Sequence, residues 1–126
     1  AYGVYTLVSE AVVEASRAVA PGAVLFRPLD RIVVKGRSRP VAIHEAMGLA
    51  GEVTAQTREC AELFADGLAR YFAADWAGAR GRFQDSVRLE QQVENNPSRV
   101  LLARLDEMEK NPPSGHWDGV YVMKSK

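Results

Sequence analysis

The stretch Phe26-Arg-Pro-Leu-Asp-Arg-Ile-Val-Val-Lys-Gly-Arg-Ser-Arg-Pro-Val-Ala-Ile-His-Glu45 decides how the first half of this chain folds. Its left arm ends in the β-branched run Ile32, Val33 and Val34, and its right arm, Val41 to Met47, is again strand-forming in composition. Between them lie Gly36, Arg37, Ser38, Arg39 and Pro40, a compact polar turn, so the residues from Leu29 to Met47 are predicted to form a hairpin. Pro28 has no amide N–H to give to a ladder, which confines it to an edge or a bulge of its strand.

Outward from the hairpin, the chain reads as mixed strand and helix on one side and as helix on the other. Val4 to Val8 is β-prone and bounded by Gly3. Ser9 can accept an orphan amide hydrogen bond and so open a helix that runs to about Val19, where Ala20, Pro21 and Gly22 stop it. The next strand is predicted from Val24 to Val34. After Gly48 the small, polar residues as far as Thr57 read as a linker. Leu63, Phe64, Gly67, Leu68, Tyr71 and Phe72 then recur at three- and four-residue spacing and place one apolar stripe on a helix. Asp75 is positioned to cap a second helix with Trp76, Ala79, Phe83 and Val87 in line. Asn96 followed by Pro97 opens a third, which continues through Leu101, Leu105 and Met108 to Asn111, Pro112 and Pro113. The tail carries Trp117 and a β-prone run, Val120 to Met123. The expected fold class is α+β, with a strand, a helix and a hairpin followed by three helices.

Composition narrows the function classes. In 126 residues, 47% are hydrophobic and 25% charged, and 16 Lys+Arg balance 16 Asp+Glu, as in an ordinary globular protein of one modest domain or two incomplete pieces. A formal charge of zero gives no general electrostatic reason to bind nucleic acid or an anionic membrane, and the basic run Lys35, Arg37, Arg39 is local. Cys60, the only cysteine, cannot form an intramolecular disulfide; inside an apolar-periodic stretch it reads as a buried reduced thiol, which fits a cytosolic setting. No apolar run approaches the roughly 18 residues of a membrane span, and no signal pattern opens the sequence. His44 and His116 stand far apart without clustered Cys/His ligands, so no metal site is expected on these residues.

Taken in order, Tyr5-Thr-Leu-Val-Ser-Glu10, a short helix, Phe26-Arg-Pro-Leu-Asp-Arg-Ile-Val-Val-Lys-Gly-Arg37 and Pro40-Val-Ala-Ile-His-Glu45 resemble the end of a class III adenylate or guanylate cyclase domain. In that family a strand leads to a Ser-Glu helix start, the closing hairpin carries Val-Lys-Gly-Lys/Arg at its turn, and the last strand reads Pro-Val-x-x-x-Glu. The resemblance covers about residues 1–47. The remainder resembles the helical extension of some bacterial cyclases that carry an extracellular CHASE2-type sensor and transmembrane helices upstream; Pro112, Pro113, Trp117, Asp118 and Gly119 match its closing Pro-Pro-x-x-x-Trp-Asp-Gly. Gly67, Trp76, Ala79 and Phe83 also match positions of a single degenerate tetratricopeptide unit, although such repeats normally need about three copies to bury a continuous face.

The resemblance implies a division into residues 1–48, the terminal strands and hairpin of a ferredoxin-like cyclase domain, a linker at 49–57, and a helical extension at 58–126. It implies an enzyme that forms cyclic AMP, less readily cyclic GMP, from ATP or GTP with release of pyrophosphate, in signal transduction. The full-length enzyme would use Mg or Mn and work as a homodimer, with this segment on the cytoplasmic side of a membrane-anchored parent. Lys35 falls at the position whose ammonium contacts the triphosphate across the dimer interface, which makes it the catalytic and phosphate-binding candidate. The metal-binding aspartates, the purine-recognising residues and the Asn/Arg pair belong upstream, so the segment alone is expected to hold no metal and to be inactive.

The chemistry suits that assignment, because cyclisation is phosphoryl transfer and cations must stabilise charge on the phosphate oxygens and on the leaving pyrophosphate. A bare turn lysine is more often simply solvated. Arg37 and Arg39 could extend the anion site or merely charge a sheet edge. Val12-Val-Glu-Ala-Ser-Arg17 imitates the family's Val-Asn-x-Ala-Ser-Arg, but Val13 replaces the asparagine and the motif is out of order, so Arg17 reads as a helix-surface residue. His44 is expected to pack or hydrogen-bond on the hairpin. Trp117 reads as the anchor of the tail on the helices, or, with Tyr121, as a partner surface. The competing function is a non-catalytic tetratricopeptide-like interaction module, which requires Tyr71 and Arg70 open to solvent.

Overall fold

The computed structural model describes residues 2, 6–33, 36, 39–113 and 117–122. The chain divides into two compact units, one of Tyr5–Val53 with Val120–Lys126 and the other of Ala1–Val4 with Thr54–Gly119. The architecture is α+β: a four-stranded mixed sheet and four helices among the described residues.

In the first unit β1 (Leu7–Ser9) runs directly into α1 (Glu10–Val19). Ser9 makes the transition: its backbone is extended while its hydroxyl accepts the amide of Val12 at 3.3 Å, a cap contributing about 1 kcal/mol. The helix ends at Ala20, whose N–H closes on the Ser16 carbonyl at 2.8 Å, and Gly22 turns the chain back with φ +75°. Val13 is the side chain that α1 buries.

β2 (Val24–Val33) and β3 (Val41–Leu49) are the predicted hairpin, antiparallel and longer at the open end than expected, because Val24 pairs with Leu49 and Leu25 with Gly48. Pro28 sits opposite His44 at a register shift before Asp30, so the bulge that its missing N–H demands is there. Leu29, the extra residue, is fully buried. The strand order is β1-β3-β2-β4; β1 is antiparallel to β3, and β4 (Tyr121–Val122) adds in parallel to Ile32 and Val33 alone.

The second unit is the three-helix extension: α2 (Ala55–Phe72), α3 (Trp76–Val87) and α4 (Pro97–Lys110). Each start is capped as its sequence indicates, with Thr54 accepting from Thr57, Asp75 from Gly78 and Asn96 from Arg99. The predicted stripes supply the core, in which Phe64, Leu68, Tyr71, Ala79, Phe83, Leu101 and Leu105 are all buried, whereas Leu63, Phe72, Trp76 and Val87 are half-buried. Gly67 lets α2 and α3 approach: a Cβ there would lie 2.9 Å from the Phe83 ring. Cys60 is buried, as expected of a reduced thiol.

Two boundaries differ from the sequence expectation. The segment 49–57 is not all linker, since hairpin pairing carries β3 through Leu49 and the Thr54 cap starts α2 at Ala55. The tail is not wholly part of the helical extension either; Tyr121 and Val122 find unpaired strand edge on β2 and join the sheet unit. At the N-terminus the described strand is Leu7–Ser9, and Val4 and Tyr5 of the predicted strand lie outside the described residues.

Candidate functional site

The hairpin tip, residues 34–40, leaves β2 after Val33 and enters β3 at Val41. Gly36 is exposed there with φ +86°, a conformation that asks for glycine, and nothing would meet a Cβ, so it is the bend itself that requires the residue. Arg39 and Pro40 are exposed. Lys35, the catalytic and phosphate-binding candidate, lies with Val34, Arg37 and Ser38 outside the described residues. The flanking pairs Ile32–Val41 and Arg31–Ala42 fix the two arms from which the tip departs.

Behind the tip, the polar residues of the cyclase-like motifs hold the unit together. Arg27 is 2% exposed and donates from Nε (3.0 Å) and Nη2 (2.6 Å) to Oε1 of Glu45, its cross-strand partner. A buried guanidinium needs such a carboxylate, because an unpaired buried charge is costly. His44, expected to bond within the hairpin, instead binds the carboxylate of Glu10 through Nε2 and so ties α1 to β3. The His44 Nδ1 is buried with no hydrogen-bond partner. Asp30, 3% exposed, accepts the Arg31 amide at 2.8 Å and stabilises the backbone after the bulge. Arg17 is exposed on α1, as the out-of-order motif suggested, with its guanidinium 6.0 Å from the Phe26 ring centroid.

In the helical unit the aromatic residues make a structural cluster. The Trp117 indole N–H donates to the Tyr71 carbonyl at 3.1 Å, and the ring packs edge-on against Tyr71 and Trp76 at centroid distances of 5.5 and 5.7 Å. Trp117 is therefore the tail anchor. Tyr71 is 0% exposed. A shallow cleft of about 330 Å³ runs along Arg70, Gly78, Gly81 and Arg82. Its two guanidiniums are already engaged: both bind Asp66, and Arg70 also reaches Asp75. The Arg70 hydrogen bond, helped by the charges of Arg70 and Arg82 and opposed by desolvation, holds the Asp66 carboxyl below the usual aspartate range.

Among the described residues no group of three His, Cys, Asp or Glu side chains could hold a metal ion, and no helix is long and apolar enough to cross a membrane. His116 lies outside the described residues. Set against protein-family models, curated proteins and solved structures, the chain matches none.

The pairs Arg27–Glu45 and Glu10–His44 carry no signal that composition or periodicity would pick out. The first was accessible in principle, since Arg27 and Glu45 are equidistant from the tip to within a residue, and opposite charges at mirrored positions of a hairpin face each other. The second joins residues 34 positions apart and leaves no such local signature.

Proposed function

We infer that this chain is the closing part of a class III nucleotidyl cyclase, converting ATP, or less readily GTP, to the cyclic nucleotide and pyrophosphate when joined to an upstream half that carries the metal-binding aspartates. The observation that carries this reading is the β1-α1-β2-β3 sequence of elements in register with its motifs. Ser9-Glu10 begins the helix, the Val-Lys-Gly-Arg segment spans the end of β2 and the tip, and Pro40 opens the strand bearing Glu45. In this reading the unit is the end of a ferredoxin-like cyclase sheet. Lys35 at the bend neutralises phosphate charge as pyrophosphate leaves, across a homodimer interface, while Mg or Mn held by the upstream half supplies Lewis acidity. The helical unit is a single tetratricopeptide-like pair with α4 and the Trp117 anchor, consistent with the close Gly67–Phe83 approach. The segment belongs to the cytoplasmic part of a membrane-anchored parent.

The non-catalytic interaction reading loses its required surface, because Tyr71 is buried under Phe72, Trp76 and Trp117, and Arg70 is held by Asp66 and Asp75. The test is product formation by the complete enzyme with ATP or GTP and Mg or Mn. Cyclic nucleotide and pyrophosphate in equal amounts are expected; no cyclic product from either triphosphate overturns the assignment.

A further inference from the structure

β4 is a two-residue strand, and a strand that short buries little apolar surface of its own. Its position is what stands out. Both of its pairings, Ile32 with Tyr121 and Val33 with Val122, fall on the last two residues of β2 before the tip. Ile32 is paired on its other side with Val41 of β3, so the root of the tip is gripped from both edges, whereas the rest of β2 is paired through β3 alone among the described residues. Lys35 follows Val33 by two positions.

The tail reaches this position from a fixed point. Trp117 is pinned in the helical unit by its indole hydrogen bond and by two aromatic contacts, and Tyr121 is four residues further along. Val122 is 63% exposed, so the pairing, and not side-chain burial, accounts for its place. A cation acting on a leaving pyrophosphate must be held to within about an ångström, and a tip of seven residues rooted on a single ladder gives poor control of that position.

We propose that β4 is a positioning strand for Lys35: by pairing with Ile32 and Val33 the C-terminal tail fixes the root of the phosphate-binding tip, and Val122 and Tyr121 act on catalysis through Lys35 without touching substrate. The inference rests on the cyclase reading of Lys35. It also gives the Trp117 tail a task that tail anchoring alone does not.

The decisive variant is Val122→Pro, which removes a strand amide at an exposed side chain, with Val122→Ala as the conservative control that keeps it. By hydrogen exchange on the 126-residue chain, V122P is expected to speed exchange over residues 31–33 by roughly ten-fold or more and to leave α2–α4 and the tryptophan fluorescence unchanged; unchanged exchange at 31–33 overturns the proposal. In the complete enzyme V122P is expected to lower kcat roughly ten-fold, V122A to behave as wild type, and V122P to cost nothing further in a Lys35→Ala background. If V122P keeps wild-type turnover while K35A loses it, the positioning role is wrong and the cyclase reading stands. An equal loss from V122P with and without Lys35 refutes action through that residue. Full activity of K35A removes the reading and the inference together.

Discussion

Replacing Gly67 by Ala tests whether the helical pair is set by backbone approach at that residue. Two effects oppose each other. Alanine in a helix interior is favoured over glycine by about 1 kcal/mol. The new methyl, however, would lie 2.9 and 3.0 Å from two carbons of the Phe83 ring and 3.1 Å from the Arg82 Cβ. Phe83 is fully buried with its ring tilted against Phe64 at 5.2 Å, so it cannot swing into solvent, and overpacking of this kind costs roughly 2–3 kcal/mol. The net expectation is a loss of about 1–2 kcal/mol. Gly81→Ala is the internal control: it sits within α3, nothing lies within 4 Å of its Cβ, and it should gain about 1 kcal/mol. Both tryptophans, Trp76 and Trp117, belong to the helical unit, so urea unfolding followed by tryptophan fluorescence reports on that unit. A Gly67→Ala protein as stable as Gly81→Ala would refute the close-packing argument.

In the sheet unit, Arg27→Met should cost about 3 kcal/mol by taking the guanidinium from the largely buried Glu45, and Arg27→Met with Glu45→Leu should recover part of that loss; far-UV circular dichroism through a urea titration decides, and a double variant weaker than the single would contradict the pairing argument. The Asp66 carboxyl, held below its ordinary range chiefly by its Arg70 hydrogen bond, contributes stability that is present above about pH 4 and is lost as pH falls through the lower folded value. Asp66→Asn should therefore flatten the acid limb of the unfolding midpoint. The effect is small and salt-sensitive because the pair is half exposed, and an acid limb identical to wild type would show that the interaction adds nothing.

Much of the fold was legible because its signals are local. Ser9, Asp75 and Asn96 cap the helices their positions announced, since a cap needs only a short side chain three residues before an orphan amide. Pro28 forecast a bulge by lacking a donor. The stripes from Phe64 to Tyr71 and from Ala79 to Phe83 are buried because a helix can hide only one face. What stayed hidden depends on distant partners. Tyr121 and Val122 are a strand only because β2 has an open edge, and Glu10 finds His44 only after α1 has folded over β3. The linker was overextended because Ala55 and Gln56 look like loop composition until Thr54 is recognised as a cap. For the candidate site, the bend and its glycine were readable from Val-Lys-Gly-Arg, while the buried Arg27–Glu45 brace behind it was not drawn from the same residues.

The cation at the hairpin bend is most directly tested by the turnover of the complete enzyme with Lys35 replaced. If the ammonium stabilises the departing pyrophosphate, Lys35→Ala should lower kcat for cyclic nucleotide formation roughly 100-fold at saturating triphosphate and metal, with Lys35→Arg retaining part of the activity. Wild-type kcat in the alanine variant would contradict it.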